Sequence, residues 1–592
     1  MRNDHPPASV RILPVAAHTD GGSGRGSGHL TRGETMKNTP KKKRNISRLL
    51  ARCIAALLAV VMITGTLTAC SEDTGGVGYK FSFSLTANPR NLDPQMATDN
   101  NSLMVIRNMY EGLMRSDSSG DLIPGVAESY EVNAEFDEYI FYLREDARWS
   151  NGDPVTAFDF EFAWRRALDP GTNSDTCLAL YCIQNAEAIN KGEVSAQELG
   201  VTVIDEHTLK VMLEYPYAEF PLQTTQAVYM PCNQTFFEST SGHYGLDDDY
   251  VISNGPFCFY QNAAFLESTA TSWNHDNYVR MIRNEYYRGE QTCLPAVLYL
   301  GIRNRKSVYY ELLVEEVVEA AKIESQYVDR LEDEGYLTYT YTDCTWGLIF
   351  NTSANGFDDA YVRQAFAMCA DTALYESELA DNTEVAYDII PPVTKLNGML
   401  YRELAGSGMK LKADPSSAYS LLKKGYANQG RTNLPTITVI CPNDENVVRL
   451  MQNLVQSWRD NLLIYVNLEP LSEDTLNNRV DIGDYQIALW CLAPSKDGPL
   501  ECLKKFDSEN YYNPARLKSP AFDKLIDLSA AKTNTEDILA PLVAAEKYLN
   551  NMAIFYPMFY ETTYYATWNT VDGIYFSPFD GTADFINATC TE

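Results

Sequence analysis

The residues best able to do chemistry are few. Beyond the N-terminal region only His207, His243 and His275 remain, and none stands at metal-ligand spacing from another. The chain has no HExxH, no CxxC pair, no Walker loop, no GxSxG and no dinucleotide fingerprint, so metal-assisted hydrolysis, phosphate cradling and hydride transfer lack a starting set. A surface hydrolase would need a nucleophile beside a positioned base, and these histidines supply none. No catalytic residue, cofactor or metal ion is expected. Thirteen cysteines are the larger resource. Cys177 and Cys182 are five apart on an expected helix, which turns them to different faces.

Charge narrows the partners. The chain has 592 residues and a net charge of −31; beyond Ala69, 37 basic and 76 acidic side chains leave −39. Such a field repels phosphate backbones, so no nucleic-acid partner is expected. The 523 residues after Ala69 suffice for roughly three domains at about 150 each.

The stretch Ala147 to Pro170 shows how a site could be positioned. Trp149-Ser150-Asn151-Gly152-Asp153-Pro154 reads as a tight turn in which Gly takes a positive φ and Pro fixes the exit. A helix follows, with Thr156 as N-cap and Asp159 complementing the N-terminal dipole. Phe160, Ala163, Trp164, Ala167 and Leu168 recur with helical period and predict one buried face, and Asp169-Pro170 ends it. Lys80 to Leu85 alternates as a strand, Asn101 to Met114 reads as a helix, and Val201 to Val211 reads as two short strands joined at Asp205. Residues 308 to 332 read as one acidic amphipathic helix. The 38 tyrosines suit pockets and strand packing alike.

Together with Leu92-Asp93-Pro94, Tyr110-Glu111-Gly112-Leu113, Pro124 to Tyr130, Phe141 to Arg144 and Asn254-Gly255-Pro256-Phe257, that stretch resembles the extracellular solute-binding protein family 5, peptide-binding receptors of ABC importers. Phe350-Asn351-Thr352, Val362 to Ala365, Ser519 to Ile526 and Ala553 to Tyr560 continue the pattern, so the resemblance runs from about Tyr79 to the C-terminus, weakest at 305 to 340. It implies an α/β, two-lobed periplasmic-binding-protein-like fold of the cluster C type, with an extra domain inserted in the first lobe. The boundaries expected are lobe I at 79–112, 233–343 and 565–592, the extra domain at 113–232, and lobe II at 344–564.

The N-terminus reads separately. Residues 1–35, rich in Gly, Ser, Pro and Arg, form a non-translated or disordered extension, and translation is expected to start at Met36. Lys41 to Arg44 and the apolar run that follows make residues 36–69 a signal peptide. Leu67-Thr68-Ala69-Cys70 resembles the bacterial lipobox, which implies lipidation of Cys70 and a tether over 70–78. At about 0.8 kcal/mol per buried CH₂, a diacylated cysteine anchors a protein without a spanning helix. The expected place is the outer face of a bacterial cell membrane.

The resemblance also implies a site. A peptide would be enclosed as an added strand, its backbone paired along Met96, Ala97, Thr98, Asp99 and Asn100, with Trp490 and Cys491 in the facing wall and Asn254 and Gly255 nearby. The family pattern implies a disulfide between Cys344 and Cys491, which an extracytoplasmic place permits. One departure stands out. Oligopeptide receptors follow the Trp-Cys pair with Ala-Asp-Tyr, the Asp taking the ligand's α-amino group, whereas this chain places Ala493 there, with Asp497 the substitute if the loop is longer. Partners implied are a peptide or other small solute (a metal chelate, glycan or modified peptide), an ABC permease with its ATPase, and the membrane through the lipid. A monomer is expected, and a sensory receptor with the same fold stays open.

Overall fold

The computed structural model describes residues 79–117, 122–259, 271–289, 293–303, 308–494, 498–510, 513–530, 532, 534–579 and 581–591. The extension, the signal peptide, Cys70, the tether and Asp497 lie outside them. Among the described residues no helix is long and apolar enough to cross a membrane.

The opening stretch folds as its spacing dictates. Gly152 sits at φ +90°, and the Trp149 N–H donates to the Asp153 carbonyl at 2.8 Å to close the turn. The helix Ala157–Leu168 begins where the Thr156 N–H donates to Asp159 Oδ2 at 2.8 Å. Phe160, Ala163, Trp164, Ala167 and Leu168 are all fully buried. Their helical period is therefore a core face, and the Trp164 indole N–H is satisfied by the Tyr229 carbonyl at 3.0 Å.

Three main sheets organise the chain. In the first, Lys80–Leu85 runs parallel to Val297–Ile302, which pairs antiparallel with Tyr278–Arg283 and, beyond it, Phe257–Cys258. The second is an antiparallel set of four, in the order Ala127–Val132, Glu138–Leu143, Thr208–Met212, Val201–Asp205. One apolar core runs beneath both and takes in Phe576 and Phe585 from the C-terminal segment.

The third sheet has seven strands, ordered Ala320–Ile323, Phe555–Thr567, Leu337–Phe350, Ile487–Leu492, Ile437–Pro442, Val466–Leu471, with Thr383–Val385 added on Phe555–Thr567. Its side chains separate by alternation. Leu348, Phe350, Val439 and Leu489 enter one core with helices Ala360–Met368 and Glu445–Leu462, while Ile349, Ile440 and Ala488 enter another with helices Pro520–Ala530 and Thr535–Asn551. A sheet covered on both faces explains why these strands read as apolar runs rather than as a polar alternation.

Residues 308 to 332 correct the expectation of one helix. The segment is a short helix, Tyr309–Val314, then a strand, Ala320–Ile323, then a second short helix, Val328–Asp333. Glu316 takes φ +58° and breaks the first helix, and the strand pairs with Tyr564 to Thr567. Ala320, Ala321 and Ile323 are buried there, and this tertiary pairing outweighs local helix propensity. Cys177 and Cys182 do not share a helix either: only Cys177 lies in the 3₁₀ turn Cys177–Leu180, and both are buried.

Candidate functional site

The site is assembled from the helix outward. Arg166, in the last turn of Ala157–Leu168, donates to both oxygens of Asp93 at 2.7 and 2.6 Å, a bidentate pair with both side chains buried. Its guanidinium also reaches Gln95 Oε1 and lies 4.5 Å from the Phe237 ring centroid. The Gln95 amide nitrogen donates to the carbonyls of Val228 (3.2 Å) and Met230 (2.9 Å), and the Gln95 carbonyl accepts from the hydroxyls of Ser174 (2.5 Å) and Thr176 (3.1 Å). Residues far apart in sequence are thus tied around the segment that carries Ala97 and Thr98.

That segment borders a cavity of about 510 Å³. Its lining comes from Ala97 and Thr98, from Leu103, Ile106 and Arg107 of the helix that follows, from Thr176 and Ala179, from Thr225 to Val228 with Met230, and from Pro494, Phe579 and Thr582. The volume lies in the range of small-molecule pockets, and the lining is mostly apolar with a few hydroxyl and amide groups. Such a wall supplies burial as the main attraction and orients the ligand with few hydrogen bonds.

The expected site residues divide. Ala97 and Thr98 line the cavity; Met96, Asp99 and Asn100 do not. The Met96 and Ala97 N–H groups donate to the Asp93 carbonyl, and Asp99 caps helix Asn100–Met109 by accepting from the Ser102 N–H at 2.9 Å. The predicted pairing edge is therefore a turn and a helix cap. Thr98 stays exposed, and among the described residues its backbone N–H and C=O take no backbone partner.

Asn254 and Gly255 belong to the frame instead. The Asn254 side chain is buried and bonds both the Glu111 N–H and carbonyl, at 3.1 and 2.8 Å. A Cβ on Gly255 would stand 2.7 Å from the Met109 carbonyl oxygen, so the close approach itself requires glycine.

The expected facing strand is present as Ile487–Leu492. Trp490 is half-buried and packs edge-on against Phe555, and Cys491 pairs across the sheet with Trp346; neither lines the cavity, which Pro494 reaches just after them. The Trp346 indole N–H donates to Glu561 Oε2 at 2.7 Å. Cys344 and Cys491 are both thiols in this structure; Trp346 stands directly opposite Cys491 in the sheet, and Cys344 is its diagonal neighbour. They are in contact nonetheless: a hydrogen bond with Cys344, aided by burial, holds the Cys491 thiol well above its ordinary pKa.

A second junction joins the segment that carries Tyr215 and Tyr217 to the chain beyond Pro494. Lys504, at the end of helix Pro499–Lys504, places Nζ 4.5 and 5.5 Å from the ring centroids of Tyr215 and Tyr217, 3.1 Å from the Tyr215 hydroxyl and 2.7 Å from Glu501. Burial alone would lower its pKa, but Glu501 and Tyr215 outweigh burial and keep the ammonium protonated.

Sequence reasoning missed most of the lining. Leu103, Ile106 and Arg107 share one face of helix Asn100–Met109, a signal legible in their spacing. Thr176, Ala179 and Thr225 to Met230 carry no such signal, since they are brought in by long-range bonds from Gln95, Trp164 and Tyr229.

Comparison with known proteins follows the same outline. Residues 121–513 match the family described as bacterial extracellular solute-binding proteins, family 5 Middle. The chain is 26% identical over 488 residues to the dipeptide-binding protein DppE of Bacillus subtilis, covering 82% of this chain and 87% of that one. It is also 26% identical over 500 residues to the probable deoxycholate-binding periplasmic protein YgiS of Escherichia coli, covering 81% and 88%. Among solved structures, Listeria monocytogenes OppA bound to peptide superposes with a TM-score of 0.70 at 22% identity, covering 87% of this chain and all of that one. The fold is the two-lobed α/β architecture of periplasmic peptide-binding proteins. With more than half of its length matched, the chain belongs to the bacterial extracellular solute-binding proteins of family 5.

Proposed function

We propose that the protein is the substrate-binding component of an ABC importer, which encloses peptides in its cleft and delivers them to a permease and its ATPase. The observation that carries the reading is the cavity lined both by Ala97 and Thr98 and by Pro494, far apart in sequence, with the Thr98 N–H and C=O taking no backbone partner among the described residues. Relatives named for dipeptide binding support it. In this reading lobe I comprises 79–112, 233–343 and 565–592, the extra domain 113–232 and lobe II 344–564. Both late crossings then fall inside the mutually paired strands Leu337–Phe350 and Phe555–Thr567, which act as the hinge.

No catalytic group is needed. A ligand that touches both lobes stabilises the closed form, and the permease distinguishes closed from open. Cys70 carries the lipid that holds the protein, as a monomer, on the outer face of the membrane. Isothermal titration with tri- to pentapeptides tests the function, with saturable one-to-one binding expected. Absence of binding across the series overturns it.

A non-peptide solute is the second reading. Ala493 offers no carboxylate to a free α-amino group, the cavity is largely apolar, and one relative is named for deoxycholate. Saturable binding of deoxycholate with no peptide binding would favour it.

A further inference from the structure

We infer that the inserted region builds an apolar side-chain subsite into the cleft, through Thr176 to Ala179 and Thr225 to Met230, and that this subsite selects ligands bearing an aliphatic or aromatic group. The inference rests on the peptide-receptor reading above. The first ground is composition. Ala179, Ala227, Val228 and Met230 line the cavity together with Leu103 and Ile106. A charged ligand group placed among them would lose hydration without a matching partner, whereas an aliphatic one would shed water on both surfaces.

The second ground is rigidity. The Val228 and Met230 carbonyls are held by the Gln95 amide, and Gln95 is held in turn by Arg166, so this wall is fixed before any ligand arrives. A preformed wall discriminates by shape where a mobile one would adapt. The third ground is the room left by small residues. Ala97, Ala179 and Ala227 end at Cβ, and the space in front of them is part of the 510 Å³. Arg107 is the one charged side chain among the described lining residues, and its guanidinium lies 5.1 Å from the Tyr575 ring centroid, at the helix side of the cavity.

The test uses the full chain in detergent and a tetrapeptide set in which each position in turn is Gly, Leu, Phe, Asp or Lys, ranked by competition calorimetry. Burying one Leu or Phe side chain is worth about a ten- to hundredfold gain over Gly at the position that enters the subsite. Ala227→Trp fills the space and should flatten that ranking; Ala179→Phe does the same from the other segment. Each variant is checked by its thermal transition, and either one suffices. A flat ranking at every position overturns the inference, as does a preference for Asp or Lys there, or a Leu and Phe preference unchanged in both variants. In those outcomes peptide binding itself persists. If no peptide binds at all, the proposed function falls and the inference falls with it.

Discussion

Replacing Lys504 with Met should open the cleft without unfolding the protein. The methionine keeps the apolar stem but removes the cation that Tyr215 and Tyr217 surround. The ammonium side chain is only 20% exposed, so its two ring contacts lie toward the desolvated end of the cation–π range, about 0.5–2 kcal/mol each, and the bond to the Tyr215 hydroxyl adds to them. On opening, water replaces these contacts. The ion pair with Glu501 lies within one helix and persists in both forms. The net bias toward closure is therefore about 1–2 kcal/mol, a factor of roughly five to thirty in the closed-to-open ratio. Where the unliganded receptor is mostly open, apparent affinity falls by the same factor. Titration calorimetry reads the affinity, and small-angle scattering reads the mean dimension of the unliganded chain. An affinity within twofold of the parent, in a variant with an unchanged thermal transition, would rule out this role for Lys504.

Three further outcomes follow from the same contacts. Asp93→Asn leaves the Arg166 guanidinium buried without its carboxylate, and breaking such a pair should cost about 3–5 kcal/mol in urea unfolding; a loss below 1 kcal/mol would show that the pair does not hold the site segment. Burial pushes the carboxyls of Asp159 and Asp343 up to about 6 from an ordinary 3.8, so each holds its proton more tightly folded than unfolded. Their contribution is complete at low pH and is lost as pH rises through about 6. Relative to Asp159→Asn, which keeps an acceptor for the Thr156 N–H, the parent should lose about 2 kcal/mol between pH 4 and pH 7; a difference flat with pH rejects the assignment. The contact between Cys344 and Cys491 predicts that mild oxidation of the folded protein links these two, and a non-reducing peptide map that finds both alkylated as thiols contradicts it.

The parts of the fold that were legible in the sequence are those set by local physics. The Gly152 turn, the buried face of Ala157–Leu168 and the hairpin around Asp205 each follow from a few adjacent residues and reappear in the structure. The segment 308 to 332 failed because its acidic period favours a helix locally, while pairing with the distant strand Phe555–Thr567 decides otherwise. The family resemblance, not a local pattern, pointed to Ala97 and Thr98, which line the cavity. The wall from Thr225 to Met230 is brought in by buried side-chain bonds from Gln95 and Trp164, whose reach no spacing rule reveals. Asn254 and Gly255, which the resemblance also implied, pack against Glu111 and Met109 and do not line this cavity.

Native mass spectrometry of the purified chain, before and after addition of a mixed pool of di- to octapeptides, shows whether the protein takes peptides. A ladder of single peptide adducts on the intact protein is expected, enriched in sequences bearing an aliphatic or aromatic residue. Retention of one discrete non-peptide mass, with no peptide adduct formed from the pool, would contradict the proposed function.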